Sequence, residues 1–305
     1  AYLIATKSPN KVWGDPKIGW YIEANGERLA IRLDGVEVLR YFFKHEETKR
    51  PFFAHVKTPT GIQVTRNFPP IEGTDPMDHA YMHPGLSLGF ANINGENFWH
   101  NNRGGVVVSE GLEEAPIVTE TSVSFTVKNR YLGNDGTTVC EEIARYHLTK
   151  NNAGYLIRME NAFRSDKAIT FGVKEEMGMA LRVASPIRVK QGSGGIASAS
   201  GGVNEKGTWG KTDQWWDYHG TLQDRSVGLQ IMSGEGNPPM WAHSRDYGLL
   251  VANPFPVDIK KNRDKTTVIE PGKPFTLHFG VQVHDTADRA SYDPKAAYQR
   301  YLAQP

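Results

Sequence analysis

The sequence has very little cysteine and no long apolar run. Cys140 is the only cysteine among 305 residues, which excludes an internal disulfide and a cysteine-based zinc or iron–sulfur site. No stretch approaches the roughly 20 apolar residues that a membrane-spanning helix needs. The longest apolar runs, such as residues 248–252, are only as long as a strand. We therefore expect no membrane span.

An excess of one charge and the common nucleotide and hydrolase motifs are also missing. Lysine and arginine total 35 against 34 acids, and no basic run alternates with aromatic residues, so nucleic acid is not an expected partner. The Gly-rich run at residues 191–210 lacks the strand, lysine and helix of a phosphate loop, and no GxSxG is present. Cys140 lies in strand-like sequence, which does not suit a catalytic thiol.

Turn residues, in contrast, are abundant. The chain has 31 glycines and 18 prolines, and Asn25-Gly26 and Asp34-Gly35 each separate two segments of alternating apolar residues. The same pattern recurs at residues 118–126, 131–147, 155–161 and 266–284. It predicts an all-β fold, a large antiparallel β-sandwich of the supersandwich kind, as a single domain over residues 1–305.

Two segments depart from the strand pattern. Residues 191–210 are rich in glycine and serine without an apolar period, which predicts a mobile excursion. Residues 293–302 predict a short C-terminal helix, with Asp293 as its cap, Pro294 at its first position and an apolar stripe that includes Ala297 and Tyr301. We expect this helix to pack on the outside of a sheet.

The densest group of polar and aromatic residues is the segment DHAYMHPGLSLGFANINGENFWH, residues 78–100. His79 and His83 are four residues apart, which puts both on one face of a strand or of a helical turn. Two converging imidazoles could bind a divalent transition metal, with His100, Asp78 or a distant carboxylate completing the set. The spacing lacks the glutamate of an HExxH helix, and Pro84 would end a helix there.

The same histidines could instead serve as general acid and base on a sugar, which requires a carboxylate partner. Glu175 and Glu176 are adjacent acids in sequence that reads as an apolar strand, so one of them is expected to face the less solvated side. Arg182 follows six residues after Glu176, on the same strand face. The alternative interpretation is an acid and an arginine that pair to close a sheet.

Two further segments, residues 214–220 and 239–248, combine aromatic side chains with Asp, His and Arg. Flat rings stack on sugar faces and fixed polar groups bind hydroxyls, so both segments suit sugar recognition. The alternative is a pair of core tryptophans at a sheet edge. We interpret the remaining strand histidines as structural or solvated: His45, His55, His147, His278 and His284.

At these clusters the sequence resembles a bacterial family of unknown function whose members are often labelled PmoA, after a methane oxygenase subunit. The resemblance covers most of the chain and rests on RPFFAHVKTPTGIQVTR (residues 50–66), DHAYMHPGLSLGFANINGENFW (78–99), KEEMGMALRV (174–183), WWDYHG (215–220) and WAHSRDYGLLVANPF (241–255). A methane oxygenase subunit is embedded in the membrane, and the absence of any spanning helix contradicts that label.

The resemblance implies a secreted or periplasmic protein of glycan-degrading bacteria, with its signal peptide removed, and a sandwich similar to that of sugar mutarotases. It assigns catalytic positions to His79, His83, Glu176 and Arg182. Its other recurring polar positions, with Tyr247 added from the aromatic clusters, are the expected substrate-binding residues: Asp78, Asn94, Trp99, Trp216, Tyr218, His243, Arg245, Tyr247 and Asn253. His243 and Glu175 depart from the family pattern, so the carboxylate role falls to Glu176.

The leading hypothesis is a carbohydrate-active enzyme, a hydrolase, lyase or epimerase, in which His79 or His83 acts with Glu176 on a glycan or small sugar. A non-catalytic glycan-binding sandwich is the second hypothesis. A metal-dependent hydrolase or oxidase that uses His79, His83 and His100 is the third. No cofactor is firmly predicted, and the sequence gives no oligomeric state.

Overall fold

Strands dominate the computed structural model, which describes residues 10–255 and 265–303. Residues 1–9, on which the expectation of a removed signal peptide rests, lie outside the described residues. The strands are β1 (Lys11–Asp15), β2 (Ile18–Ala24), β3 (Arg28–Leu33), β4 (Val36–Phe42), β5 (Phe52–Ala54), β6 (Leu86–Phe90), β7 (Val106–Leu112), β8 (Ile117–Val118), β9 (Ser122–Leu132), β10 (Thr138–Asn151), β11 (Gly154–Arg164), β12 (Ile169–Phe171), β13 (Met177–Arg182), β14 (Gly195–Ser198), β15 (Trp215–Leu222), β16 (Arg225–Ser233), β17 (Trp241–Arg245), β18 (Leu249–Asn253), β19 (Thr267–Ile269) and β20 (Phe275–Thr286). The α-helices are α1 (Asn204–Thr208) and α2 (Pro294–Ala303).

Two large antiparallel sheets make up the sandwich. In the described residues, sheet 1 has the order β1-β2-β3-β4-β5-β6-β13-β18-β17, and sheet 2 has the order β14-β15-β16-β20-β11-β10-β9-β7 with β8 beside β9. Strands β12 and β19 form a separate pair. The predicted all-β, antiparallel sandwich is therefore confirmed. No helix of the described residues has the length and apolar character needed to cross a membrane.

Both predicted hairpins are present. Asn25-Gly26 lies between β2 and β3, and Asp34-Gly35 lies between β3 and β4. Asp34 has φ 49° and Gly35 has φ 83°, the left-handed pair that a tight two-residue hairpin turn requires. The hairpin turns therefore set the register of β2, β3 and β4 in sheet 1.

The core lies between the two sheets, and alternation along the strands places its side chains there. Strand β9 alternates buried and partly exposed residues over its whole length. Aromatic rings meet across the gap: Tyr41 lies 5.6 Å from Phe125, and Phe90 lies 5.5 Å from Phe163, between ring centroids. Edge-to-face contacts of this kind add to the apolar burial that stabilises the sandwich.

The C-terminal helix is also confirmed. Asp293 caps α2, because its carboxylate accepts the backbone N–H groups of Lys295 and Ala296. Tyr301 packs with Trp215 and other apolar residues on the side of sheet 2 that faces away from sheet 1. The expected position of the helix, outside a sheet, is therefore correct.

The Gly- and Ser-rich segment contains regular structure. Residues 195–198 form β14, which pairs with β15 at the edge of sheet 2, and residues 204–208 form α1. The segment after α1 then reaches sheet 1, where Gly210 donates to the carbonyl of Ala242 in β17 over 2.8 Å. The excursion thus connects an edge of sheet 2 to an edge of sheet 1. The mobility of this segment and the assignment of the chain to a single domain stay predictions.

Candidate functional site

The predicted polar residues gather on the outer face of sheet 1. Leu86, Phe90 and Met177 belong to the face that packs on sheet 2, so their neighbours along the strands point the opposite way. These neighbours are small, and they leave room for larger groups to lie across the sheet: Ser87, Gly89, Gly178 and Ala180. A Cβ on Gly89 would lie 2.9 Å from the Trp99 ring. We call the polar and aromatic side chains that lie over these small residues, on the outer face of sheet 1, the outer-face site.

Two buried arginines hold the segment that precedes β6 against the sheet. Arg66 donates to the backbone carbonyls of five residues in this segment: Pro76, Asp78, His79, Ala80 and His83. Arg50 donates to the carbonyls of Met82 and Trp99, and its guanidinium lies 5.1 Å from the Trp99 ring. Five donors in a rigid fork suit arginine to this role. Both residues therefore position the His-rich segment.

His79 and His83 lie at the two ends of a single hydrogen-bonded turn that ends before Pro84. The N–H of His83 donates to the carbonyl of His79 over 3.1 Å, and the two rings stack with centroids 4.7 Å apart. The prediction that the two imidazoles converge is therefore confirmed. They converge face to face, with the ring planes 20° apart, so their nitrogens do not point at a common centre.

His79, Asp78 and Arg182 form a hydrogen-bonded chain. Nδ1 of His79 lies 3.0 Å from one Asp78 oxygen, and Arg182 donates to the other over 3.0 Å. Burial acts to raise the pKa of Asp78, but the hydrogen bond from His79 and the charges of Arg182 and Arg66 outweigh it and lower that pKa. Asp78 is therefore an ionised acceptor that holds Nδ1 of His79 as its donor and leaves Nε2 for a substrate.

Three of the surrounding residues carry buried nitrogen atoms that lack hydrogen-bond partners. In the described residues neither nitrogen of His83 has a partner, nor do Nε and Nη1 of Arg182 or the indole N–H of Trp99. Burial, followed by the charge of Arg182, lowers the pKa of His83 well below its usual range, so His83 is neutral. Its stacked position makes it a support for the ring of His79. Arg182 pairs with Asp78 and not with Glu176, so the alternative interpretation, in which an acid and an arginine pair to close a sheet, does not hold for Glu176.

Glu176 lies in the bend before β13, at the opposite end of that strand from Arg182. The expectation that Glu175 and Glu176 stand on a strand is therefore wrong. Burial, followed by the charge of Glu175, raises the pKa of Glu176, and the charge of His79 acts in the other direction. Nε2 of His100 lies 3.9 Å from a Glu176 oxygen. Glu176 is thus a partly buried carboxyl within electrostatic range of His79.

A second polar cluster lies along β17. Arg245 contacts Glu205 over 2.8 Å and Glu175 over 3.5 Å, and Nδ1 of His243 lies 3.4 Å from Glu175. The indole N–H of Trp209 donates to the same Nδ1 over 3.2 Å. Burial, followed by the charge of Arg245, lowers the pKa of His243 to about 3. His243 is therefore neutral and carries its proton on Nε2.

Tyr247 connects the two clusters. Its ring lies 4.6 Å from the Arg182 guanidinium and stacks near His79 at 6.4 Å. Burial raises the pKa of the Tyr247 hydroxyl, the charges of Arg182 and Arg245 act to lower it, and those of Asp78 and Glu176 act to raise it. Tyr247 is therefore within electrostatic range of groups from both clusters, which makes them parts of one surface.

The geometry does not favour the metal hypothesis. In the part of the chain that the structure describes, no group of three or more His, Cys, Asp or Glu side chains is arranged to hold a metal ion. His100 faces Glu176, whereas His79 and His83 stack on each other. The proposed ligand set of these three histidines is thus not assembled.

Four predicted substrate-binding residues have structural roles instead. Asn94 ties its loop to β12 by accepting the N–H of Thr170. Asn253 donates to the carbonyls of Lys174 and Glu175, which holds the bend that carries Glu176. Trp216 and Tyr218 are fully buried on the inner face of sheet 2. Trp99 is also fully buried, so it supports the site from below. In this structure the fully buried side chains of Trp99, Trp216, Tyr218 and Asn253 do not reach the surface.

Sequence reasoning missed Arg50, Arg66, Glu205 and Trp209. The two arginines bind backbone carbonyls up to 49 residues away, which no spacing rule indicates. Trp209 is the one bulky aromatic residue in the Gly- and Ser-rich excursion. An isolated aromatic residue in such a segment was the available sign of a functional role. Glu205 gave none, since an acid in a short polar segment is ordinarily solvated.

Residues 28–296 match a sequence family described as a family of unknown function, DUF6807. The chain belongs to this family. That description states no activity and no methane oxygenase label. No curated protein matches the sequence.

Several solved structures are similar in fold. The heparan sulfate lyase HepC from Pedobacter heparinus is 8% identical with a TM-score of 0.40 over 92% of this chain, and this chain spans 38% of that protein's length. A galactose mutarotase-like protein from Lactobacillus casei is 11% identical, with a TM-score of 0.38, over 90% of this chain and 100% of its own. A galactose mutarotase related enzyme from Lactobacillus acidophilus is 10% identical, with a TM-score of 0.34, over 92% and 99%. At these values the likenesses bear on no residue of the site.

Proposed function

We propose that this protein is a carbohydrate-active enzyme that transfers protons at the outer-face site, with His79 and Glu176 as its two proton-transfer groups. One observation carries the proposal. The exposed imidazole of His79 is fixed by an ionised Asp78, and Glu176, a carboxyl of raised pKa, lies within its electrostatic range. A histidine whose Nδ1 is held by a carboxylate and a nearby carboxyl of raised pKa can act together as base and acid on one substrate.

The two groups have different roles. Asp78 accepts from Nδ1 of His79, so Nε2 of His79 is the atom that takes a proton from the substrate. Glu176 stays protonated to a higher pH than an ordinary carboxyl, so it is the proton donor. Arg182 is a positioning residue, because it touches Asp78 and the Tyr247 ring.

This pair suits several reactions on a sugar. His79 removes a proton from a hydroxyl, a water or a carbon, and Glu176 donates one to the ring oxygen or glycosidic oxygen whose bond to carbon breaks. Hydrolysis, elimination and epimerisation differ in which atom loses the proton and which bond breaks, and each needs one acceptor and one donor. The identity of the product therefore decides among them.

The experiment is a turnover screen of neutral, acidic and amino-sugar oligosaccharides and simple sugars, with products identified by mass spectrometry and NMR. The wild type is compared with His79→Gln, Glu176→Gln and the control His147→Gln, which lies on sheet 2. We expect turnover by the wild type and the control, with losses of about 10²- to 10⁴-fold in the two site variants. Equal turnover by all four proteins would refute the proposal.

A non-catalytic glycan-binding role is the second candidate, and the exposed Trp209 ring beside Arg245 favours it. Under this alternative, calorimetry detects saturable glycan binding by the wild type, whereas no product forms on prolonged incubation. His79→Gln would then leave the affinity unchanged within about twofold, because an imidazole used only for loop support makes no ligand contact.

A further inference from the structure

We propose that Trp209, with Glu175, Arg245 and His243, forms a second subsite that binds a neutral sugar residue next to the one on which His79 and Glu176 act. This inference rests on the proposed function and names its substrate class: a neutral disaccharide or longer chain. The subsite is built by the Gly- and Ser-rich excursion, so the excursion completes the site.

The excursion is fixed to sheet 1 by hydrogen bonds at two residues of β17 and at Asp246, which directly follows this strand. Gly210 donates to Ala242, and Thr208 and Ser244 share a hydroxyl hydrogen bond of 2.7 Å. The N–H of Glu205 donates to the carboxylate of Asp246 over 2.9 Å. These bonds pair an edge strand that would otherwise be open, and they place the Trp209 ring at a defined position beside β17.

The Trp209 ring is available to a ligand. It is 39% exposed, the largest exposure among the seven tryptophans of the chain. Its N–H is already occupied by His243, and the Arg245 guanidinium lies 5.8 Å from the ring centroid. A large aromatic side chain held in place yet open to solvent is the usual means of stacking on the apolar face of a pyranose.

The polar groups beside the ring match sugar hydroxyls. Glu175 pairs with Arg245 over 3.5 Å and lies 3.4 Å from Nδ1 of the neutral His243, and within the described residues its oxygens accept no hydrogen bond. Arg245 offers donors, Glu175 offers acceptors, and a hydroxyl can satisfy either because it both donates and accepts. His243 contributes Nε2–H, since Trp209 occupies its Nδ1.

The charge of the subsite favours a neutral sugar over an acidic one. Arg245 contributes one positive charge, Glu175 and Glu205 contribute two negative charges, and His243 is neutral, so the sum is one minus two, a net negative charge. A uronic acid carboxylate would be repelled there. Because Glu175 directly precedes Glu176, the bound residue is adjacent to the one being processed.

The test is calorimetric titration of proteins carrying His79→Gln, so that no turnover intervenes. The probes are neutral gluco-, xylo-, manno- and galacto-oligosaccharides from mono- to hexasaccharide, oligogalacturonates, and deacetylated chito-oligosaccharides. Trp209→Ala is compared with Val203→Ala, a matched control at an exposed residue of the same excursion. Trp209→Phe, which keeps a ring but loses the N–H donor, covers the case in which the alanine variant does not fold.

We expect at least one neutral series to bind, with roughly tenfold or greater gain from mono- to disaccharide in the Val203→Ala protein. Trp209→Ala should lose that gain, and Trp209→Phe should keep part of it. The inference is overturned if affinity is independent of chain length, if Trp209→Ala equals the control, if an acidic or cationic series binds more tightly, or if no neutral series binds. If the proposed function fails and the subsite is real, the result is different: glycan binding depends on Trp209, but the wild type does not turn the glycan over.

Discussion

Among the described residues, the Asp78–His79 and Asp217–His284 pairs have nearly the same hydrogen-bond length and opposite surroundings. Nδ1 of His79 lies 3.0 Å from Asp78, and Nε2 of His284 lies 2.9 Å from Asp217. The first pair has side-chain exposures of 43% and 40%, whereas both members of the second are 0% exposed. The hydrogen bond alone therefore does not distinguish the two pairs, whereas their access to solvent does.

The neighbours of the buried pair explain its role. Arg289 contacts Asp217 over 3.0 Å, and the ring of Tyr292 stacks on His284 at 3.9 Å. Both neighbours come from the segment that leads into α2, so this pair fastens the C-terminal segment to sheet 2. On sheet 1 the corresponding cation, Arg182, is buried below Asp78 and leaves His79 open. One pair holds two elements together, and the other presents an imidazole.

The largest expected difference between the pairs is in activity. We expect His79→Gln to lose about 10²- to 10⁴-fold in turnover of a glycan found by the screen, with the free energy of unfolding changed by about 0.5 kcal/mol or less. His284→Gln should keep its turnover per folded molecule and lose stability. Steady-state kinetics and urea unfolding of both variants check this. The comparison would be contradicted if His284→Gln lost turnover per folded molecule and His79→Gln lost stability instead.

The second difference is in stability. Asp217→Asn should lower the free energy of unfolding by about 3 kcal/mol, because it removes a buried carboxylate that pairs with both His284 and Arg289. Asp78→Asn should cost about 1 kcal/mol or less, since solvent screens that pair and asparagine still accepts from Arg182. If urea unfolding shows that both variants lose the same free energy of unfolding, burial does not distinguish the two pairs.

The third difference is in pH dependence. Burial acts to raise the pKa of Asp217, but His284 and His219 outweigh it and hold that pKa far below the unfolded value of 3.8. A depressed carboxyl pKa stabilises the fold above the unfolded value and loses that contribution as the pH falls toward the folded value. The stability advantage of the wild type over Asp217→Asn should therefore shrink below about pH 4. An advantage that is constant from pH 7 to the acid range would contradict this.

The smallest effect sharpens the description of the open site. The charge of Glu175 helps to raise the pKa of Glu176, so Glu175→Gln should lower it. If Glu176 is the proton donor, activity falls as the pH rises through its pKa, and this limb should move to lower pH in the variant. The pH–rate profile is the measurement. A limb that does not move would separate Glu176 from the proton-donor role.

Much of the fold follows from local sequence. The turn pairs Asn25-Gly26 and Asp34-Gly35 predict hairpins, and Asp293-Pro294 predicts the start of α2, because each signal acts within a few residues. The spacing of His79 and His83 predicts their convergence for the same reason. The segment that is densest in polar and aromatic residues, residues 78–100, therefore contributes to the outer-face site.

The rest depends on contacts between distant residues. Asp217 and His284 are 67 residues apart and meet only because β15, β16 and β20 are neighbours in sheet 2. Trp216 and Tyr218 face the core because strand alternation turned them inward, and composition does not fix that phase. The pairing of Arg182 with Asp78 likewise depends on the position of the loop that Arg66 holds.

The central claim is that His79 is the reactive histidine of the two pairs. The direct measurement is the rate of diethyl pyrocarbonate modification at each histidine, followed by mass spectrometry beside the loss of turnover, with and without the glycan that is turned over. We predict that inactivation follows modification of His79, that the glycan protects this residue, and that His284 reacts only on unfolding. Full activity after complete modification of His79, or modification of His284 at the same rate, would contradict the account.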